Sequence, residues 1–252
     1  MELLVVGSGA AYPNTPGTAS SCYVVLHDGA AICLDLGQGA FAGLAGRLEP
    51  ADLAGVVVSH LHPDHFVDLV ALRHYLRYEF TPPRRVRVIG PAGLRGRLAG
   101  VTGEPDFAAA TLEIEDRGEG QVKVGPFVVE SRRVTHTADS YATRVTLVAA
   151  ADGPAIVYSG DCGRAADLAP LIRPGDALLC EAAFGPGPVP VPDLHFDGAA
   201  VGRLATATGV SQVLLTHLQM KRDPAATLAA TRAEYDGPVS LVRDGDRIAI
   251  TG

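Results

Sequence analysis

Metal-binding side chains are concentrated in the segment SHLHPDH at residues 59–65. Three imidazoles and a carboxylate follow directly on the apolar run VVV at residues 56–58, which the pattern predicts to be a short buried strand. Neutral imidazole and carboxylate are ligands that suit zinc, manganese and iron. Because the whole chain has eight histidines, the clustering of His60, His62 and His65 around Asp64 predicts a metal site rather than a solvated polar loop.

Ligands from one segment leave the coordination of a metal ion incomplete, so further ligands are expected elsewhere in the chain. His136, Asp161 and His217 each stand at the end of an apolar run that predicts a strand. One such residue alone would more often be a cap or a hydrogen-bonded polar group. The repeated placement indicates that these side chains gather at one rim of a sheet.

The order of these residues resembles the motifs of the metallo-β-lactamase superfamily. His60-x-His62-x-Asp64-His65 is similar to its signature, and the similarity runs from GSG at 7–9 through LDLG at 34–37 to LTH at 215–217, most of the chain. The resemblance implies an α/β fold, a four-layer αββα sandwich formed by a single domain over residues 1–252. It is closer to the phosphodiesterase and ribonuclease Z branch than to the β-lactamases themselves, which usually carry a cysteine at the position of Asp161. Cys162 is one residue away and is not a substitute.

The resemblance also implies a centre of two divalent metal ions. Zinc is the favoured metal, and manganese and iron are the alternatives. His60, His62 and His136 would hold the first metal, and Asp64, His65 and His217 the second, with Asp161 bridging the two. Two such ions share a water, lower its pKa and neutralise the charge that develops when hydroxide attacks phosphorus.

Two residues are expected to move protons in this reaction. Asp64, beside the shared water, is the expected general base or orienting group, and His195 is the expected acid for the leaving oxygen. The stretch DLHFD at 193–197 resembles a ribonuclease Z-like motif in which a histidine on a loop follows a strand-end glutamate, here Glu181. In that motif the residue after the histidine is Ser or Thr, whereas here it is Phe196. A helix cap or a surface histidine is the alternative for His195. Asp35 is expected to orient a metal-binding histidine.

The elements that must position these residues alternate between strands and helices without a linker, which predicts a layered α/β domain. A hairpin is predicted over Cys22–Leu26 and Ala31–Leu34, and helices over Ala40–Leu48, Asp68–Arg77, Gly198–Thr208 and Pro224–Tyr235. The predicted strands of the second half are Phe127–Val134, Tyr141–Ala149, Ala155–Tyr158, Ala177–Leu179 and Gln212–Leu215.

Composition excludes several classes of protein. With 252 residues, 47% of them hydrophobic, and a mean hydropathy of +0.19, the chain has material for a large core, which excludes intrinsic disorder, a coiled coil and a collagen-like fibre. The net charge of −7 argues against a protein whose main task is to coat nucleic acid.

The sequence also predicts the compartment. No apolar run is long enough to span a bilayer, and the start MELLVVGSGAAYP lacks the basic region of a signal peptide. Cys22, Cys33, Cys162 and Cys180 form no CxxC pair and are expected to be buried, reduced thiols. We therefore expect a cytoplasmic protein that does not act at a membrane.

The substrate hypothesis rests on the interval between His136 and Asp161. It is too short for the tRNA-gripping arm of long-armed ribonuclease Z proteins, and the acidic balance attracts polyanions weakly. Residues 60–78, with PPR at 82–84 and VIGPAG at 88–93, look like the short bacterial members associated with cyclic nucleotide hydrolysis. A small phosphodiester such as a cyclic nucleotide is therefore favoured.

Three alternatives stay open. The first is a tRNA 3′-processing endonuclease that borrows an arm from a partner in a homodimer, an assembly that the family resemblance alone suggests. The second is a lactone, carboxylic ester or sulfate-ester hydrolase, because a metal site does not by itself select the reacting centre. The third, a purely structural metal site, is disfavoured because every ligand position and a proton donor are present.

Overall fold

Two mixed β-sheets form the inside of the molecule in the part of the chain that the computed structural model describes, residues 1–13, 16–137, 139–153 and 155–251. In spatial order, the first sheet contains β14 (Arg247–Ala249), β1 (Glu2–Gly7), β2 (Cys22–His27), β3 (Ala30–Leu34), β4 (Gly55–Val57), β5 (Val86–Pro91) and β6 (Leu112–Arg117). The second sheet contains β13 (Val239–Leu241), β12 (Gln212–Thr216), β11 (Ala177–Glu181), β10 (Ile156–Tyr158), β9 (Ser140–Leu147), β8 (Phe127–Val134) and β7 (Gly120–Val124).

Helices cover the outer faces of both sheets. Within the described ranges they are α1 (Ala40–Ala45), α2 (Pro63–Phe66), α3 (Leu69–Tyr78), α4 (Leu94–Thr102), α5 (Ala165–Leu168), α6 (Gly198–Thr208) and α7 (Pro224–Arg232). Helices α1, α3 and α4 pack on the first sheet, and α5 and α6 on the second. The four-layer αββα fold predicted from the sequence is thereby confirmed. In the same ranges, no helix combines the length and apolar character needed to cross a membrane.

Alternating side chains explain why the strands read as unbroken apolar runs. In β1, Leu3 and Val5 point into the core between the sheets, whereas Leu4 and Val6 pack beneath the helices. Successive side chains of a strand face opposite sides, so a strand covered on both faces must be apolar throughout.

Strand direction brings the candidate metal ligands to one rim. Strands β3 to β6 are parallel to one another, and so are β10 to β13. Strand β8 runs in the direction of β10, because both pair antiparallel with β9. The carboxyl ends of these strands therefore carry the loops in which the predicted site residues lie.

Several boundaries differ from the sequence prediction. The helix predicted over Ala40–Leu48 ends at Ala45, where the chain turns at Gly46. Helix α4 and strands β6 and β7 were not predicted, because their apolar residues alternate with charged ones in short stretches. The predicted domain runs to residue 252, which lies outside the described residues.

Candidate metal centre

Strand ends deliver the predicted site residues. His60 follows β4 by three residues, His136 follows β8 by two, Asp161 follows β10 by three and His217 follows β12 directly. His62 is the residue before α2, whose first position is Pro63. Proline suits that position because its fixed φ matches the helix and its missing N–H needs no partner. Asp64 and His65 consequently lie in the first turn, beside His60.

Two residues at the rim hold an uncommon backbone conformation. Asp35 has φ 58° and His217 has φ 57°, in the left-handed region. Such residues cost of order 1–3 kcal/mol each and persist where the surroundings fix them. The His217 N–H donates to Ser8 O at 3.0 Å and the Asp35 N–H to Val57 O at 2.9 Å. These bonds hold both side chains toward the rim.

The first group of candidate ligands surrounds one oxygen of Asp161. Oδ2 of Asp161 lies 3.7 Å from His60 Nε2 and 3.7 Å from His136 Nε2. His62 completes the group, because its Nδ1 lies 3.3 Å from His136 Nε2. One nitrogen or oxygen from each of these side chains lies within 4.8 Å of the others, close enough to share one cation.

The second group surrounds the other oxygen of the same carboxylate. Oδ1 of Asp161 lies 3.4 Å from His65 Nε2 and 3.7 Å from His217 Nε2. Oδ2 of Asp64 lies 3.5 Å and 3.2 Å from the same two nitrogens. Asp161 therefore turns one oxygen to each group, which is the arrangement expected of a carboxylate that bridges two cations.

Hydrogen bonds select the nitrogen that each imidazole presents. His65 Nδ1 donates to Asp35 Oδ2 at 2.7 Å, and His136 Nδ1 donates to the carbonyl of Leu194 at 2.9 Å. Because these acceptors carry no proton, the hydrogen must lie on Nδ1. The lone pair of each ring is left on Nε2, the nitrogen that faces Asp161.

Charge and burial prepare the two groups for a cation. Burial lowers the pKa of His60 well below its ordinary value and also lowers the pKa of His62 and of His136, which keeps these three rings neutral. Burial raises the pKa of Asp64 and Asp161, but the neighbouring histidines outweigh burial, so both carboxyls have a lowered pKa and stay ionised.

Buried atoms without partners test whether these residues fit metal ions. Among the described residues, six buried side-chain nitrogen or oxygen atoms have no hydrogen-bond partner, and three of them are His60 Nε2, His65 Nε2 and Asp161 Oδ1. Buried polar atoms are normally paired. His60 Nε2 faces the first group, and His65 Nε2 and Asp161 Oδ1 face each other in the second, so a cation in each group would supply the partner that these atoms lack. The donor set of imidazole nitrogen and carboxylate oxygen suits zinc, and the residues fit the two-metal centre that the sequence predicts.

Asp35 organises the floor of the site. This buried carboxylate accepts hydrogen bonds from the Ser59 N–H at 2.6 Å, the Ser59 hydroxyl at 2.7 Å and the Tyr158 hydroxyl at 2.7 Å, in addition to His65. Its contact with His65 is the one that the predicted orienting role requires. The roles of Ser59 and Tyr158 were not predicted from the sequence. The available signals were that Ser59 directly precedes the candidate ligand His60 and that Tyr158 ends β10, the strand that leads to Asp161.

His195 lies at the edge of the same site and is held by Glu181. Glu181 Oε1 accepts from His195 Nδ1 at 2.9 Å, and its Oε2 accepts from the Ala183 N–H at 2.9 Å. Burial lowers the pKa of His195, but the Glu181 carboxylate more than offsets burial and raises it. Phe196, which replaces the Ser or Thr of the family motif, is buried in the core under α6. The departure thus serves packing and leaves the neighbouring imidazole in place.

Arg117, at the end of β6, joins the two sheets beneath the site and was also missed. Its guanidinium donates to Val58 O at 3.0 Å, Ser131 Oγ at 2.9 Å and Ala142 O at 3.0 Å. Burial lowers its pKa to about 10, so the group remains charged at neutral pH. It fixes the strand end from which His60 projects.

A cleft of about 460 Å³ opens over the candidate ligands. Its lining residues come from the loop after β1, the start of α2 and the loops after β8, β10, β11 and β12. They are Ala10, Ala11, Tyr12, His62, Pro63, Asp64, His136, Thr137, Asp161, Ala183, Leu194, His195, His217 and Gln219. The volume is that of a small-molecule site. We call it the catalytic cleft.

Similarity to known proteins extends over most of the chain. Residues 33–218 match the family described as "Beta-lactamase superfamily domain". Uncharacterized protein ML1173 of Mycobacterium leprae is 30% identical over 256 residues, covering 99% of this chain and 89% of that protein. The crystal structure of the metallo-β-lactamase fold protein YhfI from Bacillus subtilis has a TM-score of 0.86 at 20% identity, covering 98% of this chain and 99% of that one. Human tRNase Z, short form (ELAC1), has a TM-score of 0.75 at 20% identity, with 99% of both chains covered.

Proposed function

The chain belongs to the metallo-β-lactamase superfamily of metallo-hydrolases, and on that basis we propose that it is a two-metal phosphodiesterase that hydrolyses a cyclic nucleotide or another small phosphodiester. One observation carries the proposal: the two oxygens of Asp161 face two separate groups of ligand atoms in one cleft. Two adjacent cations suit phosphoryl transfer, because an in-line displacement has an attacking and a leaving oxygen to stabilise.

The residues that would hold the cations are the seven predicted ones, His60, His62, Asp64, His65, His136, Asp161 and His217. When bound, the divalent ions supply Lewis acidity, which acidifies water and neutralises charge on a phosphoryl oxygen. We propose zinc, since five of the seven side chains are imidazoles and the borderline-soft zinc ion accepts nitrogen readily.

Two side chains of the cleft are proposed to move protons. Asp64, kept ionised by His65 and His217, would accept or orient the proton of the attacking water. His195 would donate a proton to the leaving oxygen from Nε2, because its Nδ1 is engaged by Glu181. The raised pKa of His195 supports this role, since a general acid must hold its proton before the reaction.

The size of the substrate is argued from the interval between His136 and Asp161. Strands β9 and β10, which pair with each other inside the second sheet, take up half of the described residues of that interval. The remainder of the interval is too short for a protruding arm, and the net charge of −7 gives little attraction for a long polyanion. Both features support a small diester over a precursor tRNA.

The test is metal analysis followed by a substrate panel. The purified protein is assayed for bound metals and then for hydrolysis of 3′,5′-cyclic AMP, 2′,3′-cyclic AMP, a precursor tRNA, a lactone and a sulfate ester. We expect turnover of a small diester that disappears with Asp64→Ala and persists with Asp236→Ala, an exposed position away from the cleft. Turnover of the lactone, the sulfate ester or the tRNA with no diester hydrolysis would contradict the proposal.

We also propose that the protein acts in the cytoplasm. The cysteines at positions 22, 33, 162 and 180 are free and buried. Free thiols are the usual state in a reducing compartment. Fractionation of the source cells with an antibody against the chain tests this proposal, and recovery in an extracellular fraction would contradict it.

A further inference from the structure

A second cleft opens beside the catalytic cleft. It has a volume of about 540 Å³ and is lined by Tyr12, Gln219, Met220, Lys221 and Arg222, and we call it the entrance cleft. Tyr12 and Gln219 line both clefts. The two clefts therefore adjoin, and a ligand that occupied both would pass over these two side chains.

The entrance cleft exposes apolar surface that the fold does not need. Tyr12 is 56% exposed and Met220 is 42% exposed, two of the six large apolar side chains that stand out from the described surface. They come from different loops, one after β1 and one after β12, yet they line the same cleft. Exposed aromatic and methionine side chains beside a site suit a flat apolar ligand.

Two cations accompany this apolar surface. Within the described part of the chain, neither Lys221 nor Arg222 forms an ion pair. The adjacent carboxylate, Asp223, is engaged as the cap of α7, where it accepts from the N–H groups of Ala225 and Ala226. In a protein with a net charge of −7, two cations without a carboxylate partner at one cleft favour an anionic ligand.

The position of Arg222 is fixed by packing. A Cβ added to Gly185 would lie 2.8 Å from the Cβ of Arg222, so the arginine stem lies directly against this glycine, whose φ is +66°. The guanidinium lies 5.9 Å from the ring centre of Phe184, and that ring contacts His195 edge to face with centroids 5.2 Å apart. Arg222 is thus held on the wall that also carries the proposed proton donor.

We propose that the entrance cleft is a nucleotide-recognition site, in which an aromatic base stacks on Tyr12 against Met220 while Lys221 and Arg222 bind a phosphate other than the one at the metal centre. The inference rests on the proposed function and narrows it, because it predicts that, among small phosphodiesters, nucleotides with a second phosphate, such as a dinucleotide with a terminal phosphate, bind more tightly than cyclic AMP, which has one. A stacked base and a charge-assisted contact to a second phosphate would make binding selective for nucleotides. Metal ions that contact only the diester group would not provide this selectivity.

Equilibrium binding tests the proposal without requiring turnover. Isothermal titration calorimetry of the metal-loaded protein is carried out with inorganic phosphate, adenosine 5′-monophosphate and adenosine 3′,5′-bisphosphate. We expect affinity to rise in that order. Tyr12→Ala should weaken both nucleotides about tenfold or more and leave inorganic phosphate unchanged, because it removes stacking alone. Tyr12→Phe, which keeps the ring, should retain the affinity of the wild type.

The charged part of the site has its own matched control. Lys221→Gln should weaken the bisphosphate selectively, whereas the same change at Lys123, the other lysine of the chain, should have no effect because it is exposed on β7. Equal affinity of the wild-type protein for phosphate and both nucleotides would overturn the inference, and so would unchanged nucleotide binding in Tyr12→Ala. Neither result would contradict the proposed hydrolysis of a diester. Tyr12-dependent nucleotide binding without hydrolysis of any diester would support the inference and contradict the proposed function.

Discussion

His65 illustrates how a single buried carboxylate sets the chemistry of a neighbouring ring. Asp35 Oδ2 accepts a hydrogen bond from the N–H at Nδ1, which leaves the Nε2 lone pair directed toward Asp64 and Asp161. Burial alone would lower the pKa of His65, but the carboxylates around it raise the pKa well above its ordinary value. The ring therefore favours a cation at Nε2, either a proton or a metal ion.

The first residue-level prediction concerns Asp35→Asn. Asparagine tolerates the left-handed backbone of this position and keeps the size of the side chain, but it no longer offers a carboxylate to Nδ1 of His65. Metal affinity should fall about 10- to 100-fold. Competition with a chromophoric chelator measures it, with Asp236→Asn as the exposed control. Unchanged affinity would show that Asp35 does not orient the ring.

The second residue-level prediction concerns His195→Ala. Loss of a general acid should lower kcat on a cyclic nucleotide by about 10²–10⁴-fold, with metal content unchanged. The loss should shrink on bis-p-nitrophenyl phosphate, because p-nitrophenolate leaves without protonation. His74→Ala, on the exposed face of α3, serves as the control. An equal loss on both substrates would contradict a role in leaving-group protonation.

At the scale of elements, the loop after β3 must pass very close to helix α2. A Cβ added to Gly37 would lie 1.9 Å from the backbone oxygen of Asp64, a separation that no side chain tolerates. The N–H of the neighbouring Leu36 donates to His65 O at 2.8 Å. Glycine at position 37 therefore lets the loop support the short helix that carries two of the proposed ligands.

Gly37→Ala should consequently displace α2. We expect reduced metal content and a lower melting temperature, measured by elemental analysis and by thermal unfolding. Gly96→Ala is the matched control, since this glycine lies in α4 with no atom within 4 Å of an added Cβ. That change should raise the free energy of unfolding by about 0.5–1 kcal/mol. A Gly37→Ala protein with full metal content would contradict the tight contact.

Arg117 connects elements of both sheets, so its replacement tests their junction. Arg117→Met leaves the carbonyls of Val58 and Ala142 without their donors, at about 1–3 kcal/mol for each buried acceptor. The free energy of unfolding, from urea denaturation, should fall accordingly. Arg117→Lys retains the charge without the planar fork and should recover only part of the loss. An equal free energy of unfolding for the wild type, Arg117→Met and Arg117→Lys would contradict the claim that Arg117 stabilises the contact between the two sheets.

The residues that meet in the candidate site could be predicted from the sequence more completely than the elements around it. His60, His62, Asp64 and His65 could be found because ligand-type residues end an apolar strand, a local signal. Arg117 could not, since it ends a strand whose charged residues alternate with Leu112 and Ile114 and resemble a solvated loop. What distinguishes it is burial by the opposite sheet, which depends on tertiary packing rather than on neighbouring residues.

On the scale of the whole molecule, the double sheet explains why seven separated residues meet. The first sheet supplies the segment that holds His60 to His65, and the second supplies His136, Asp161 and His217 from three strand ends. Because the sheets face each other across one apolar core, their rims are held at a fixed separation. The two oxygens of Asp161 then lie where the contributions of the two sheets join.

The net charge of the whole molecule also affects which ligands the protein attracts. The overall charge of −7 disfavours long polyanions, so under the proposed function the attraction for phosphate would come from the metal ions and from the cations of the entrance cleft. Binding of a small diester should accordingly depend less on salt than tRNA binding does, because few phosphates exchange their counterions. Titrations at 50 and 500 mM salt measure this; a steep loss of affinity would contradict the small-substrate proposal.

The most direct test of the central claim is the rate of cyclic AMP and dinucleotide hydrolysis by protein stripped with a chelator and then titrated with Zn²⁺ or Mn²⁺. The stripped protein should be inactive, and activity should return and saturate near two metal ions per chain. No hydrolysis of either diester at any metal content, or full activity in the stripped protein, would contradict a two-metal phosphodiesterase.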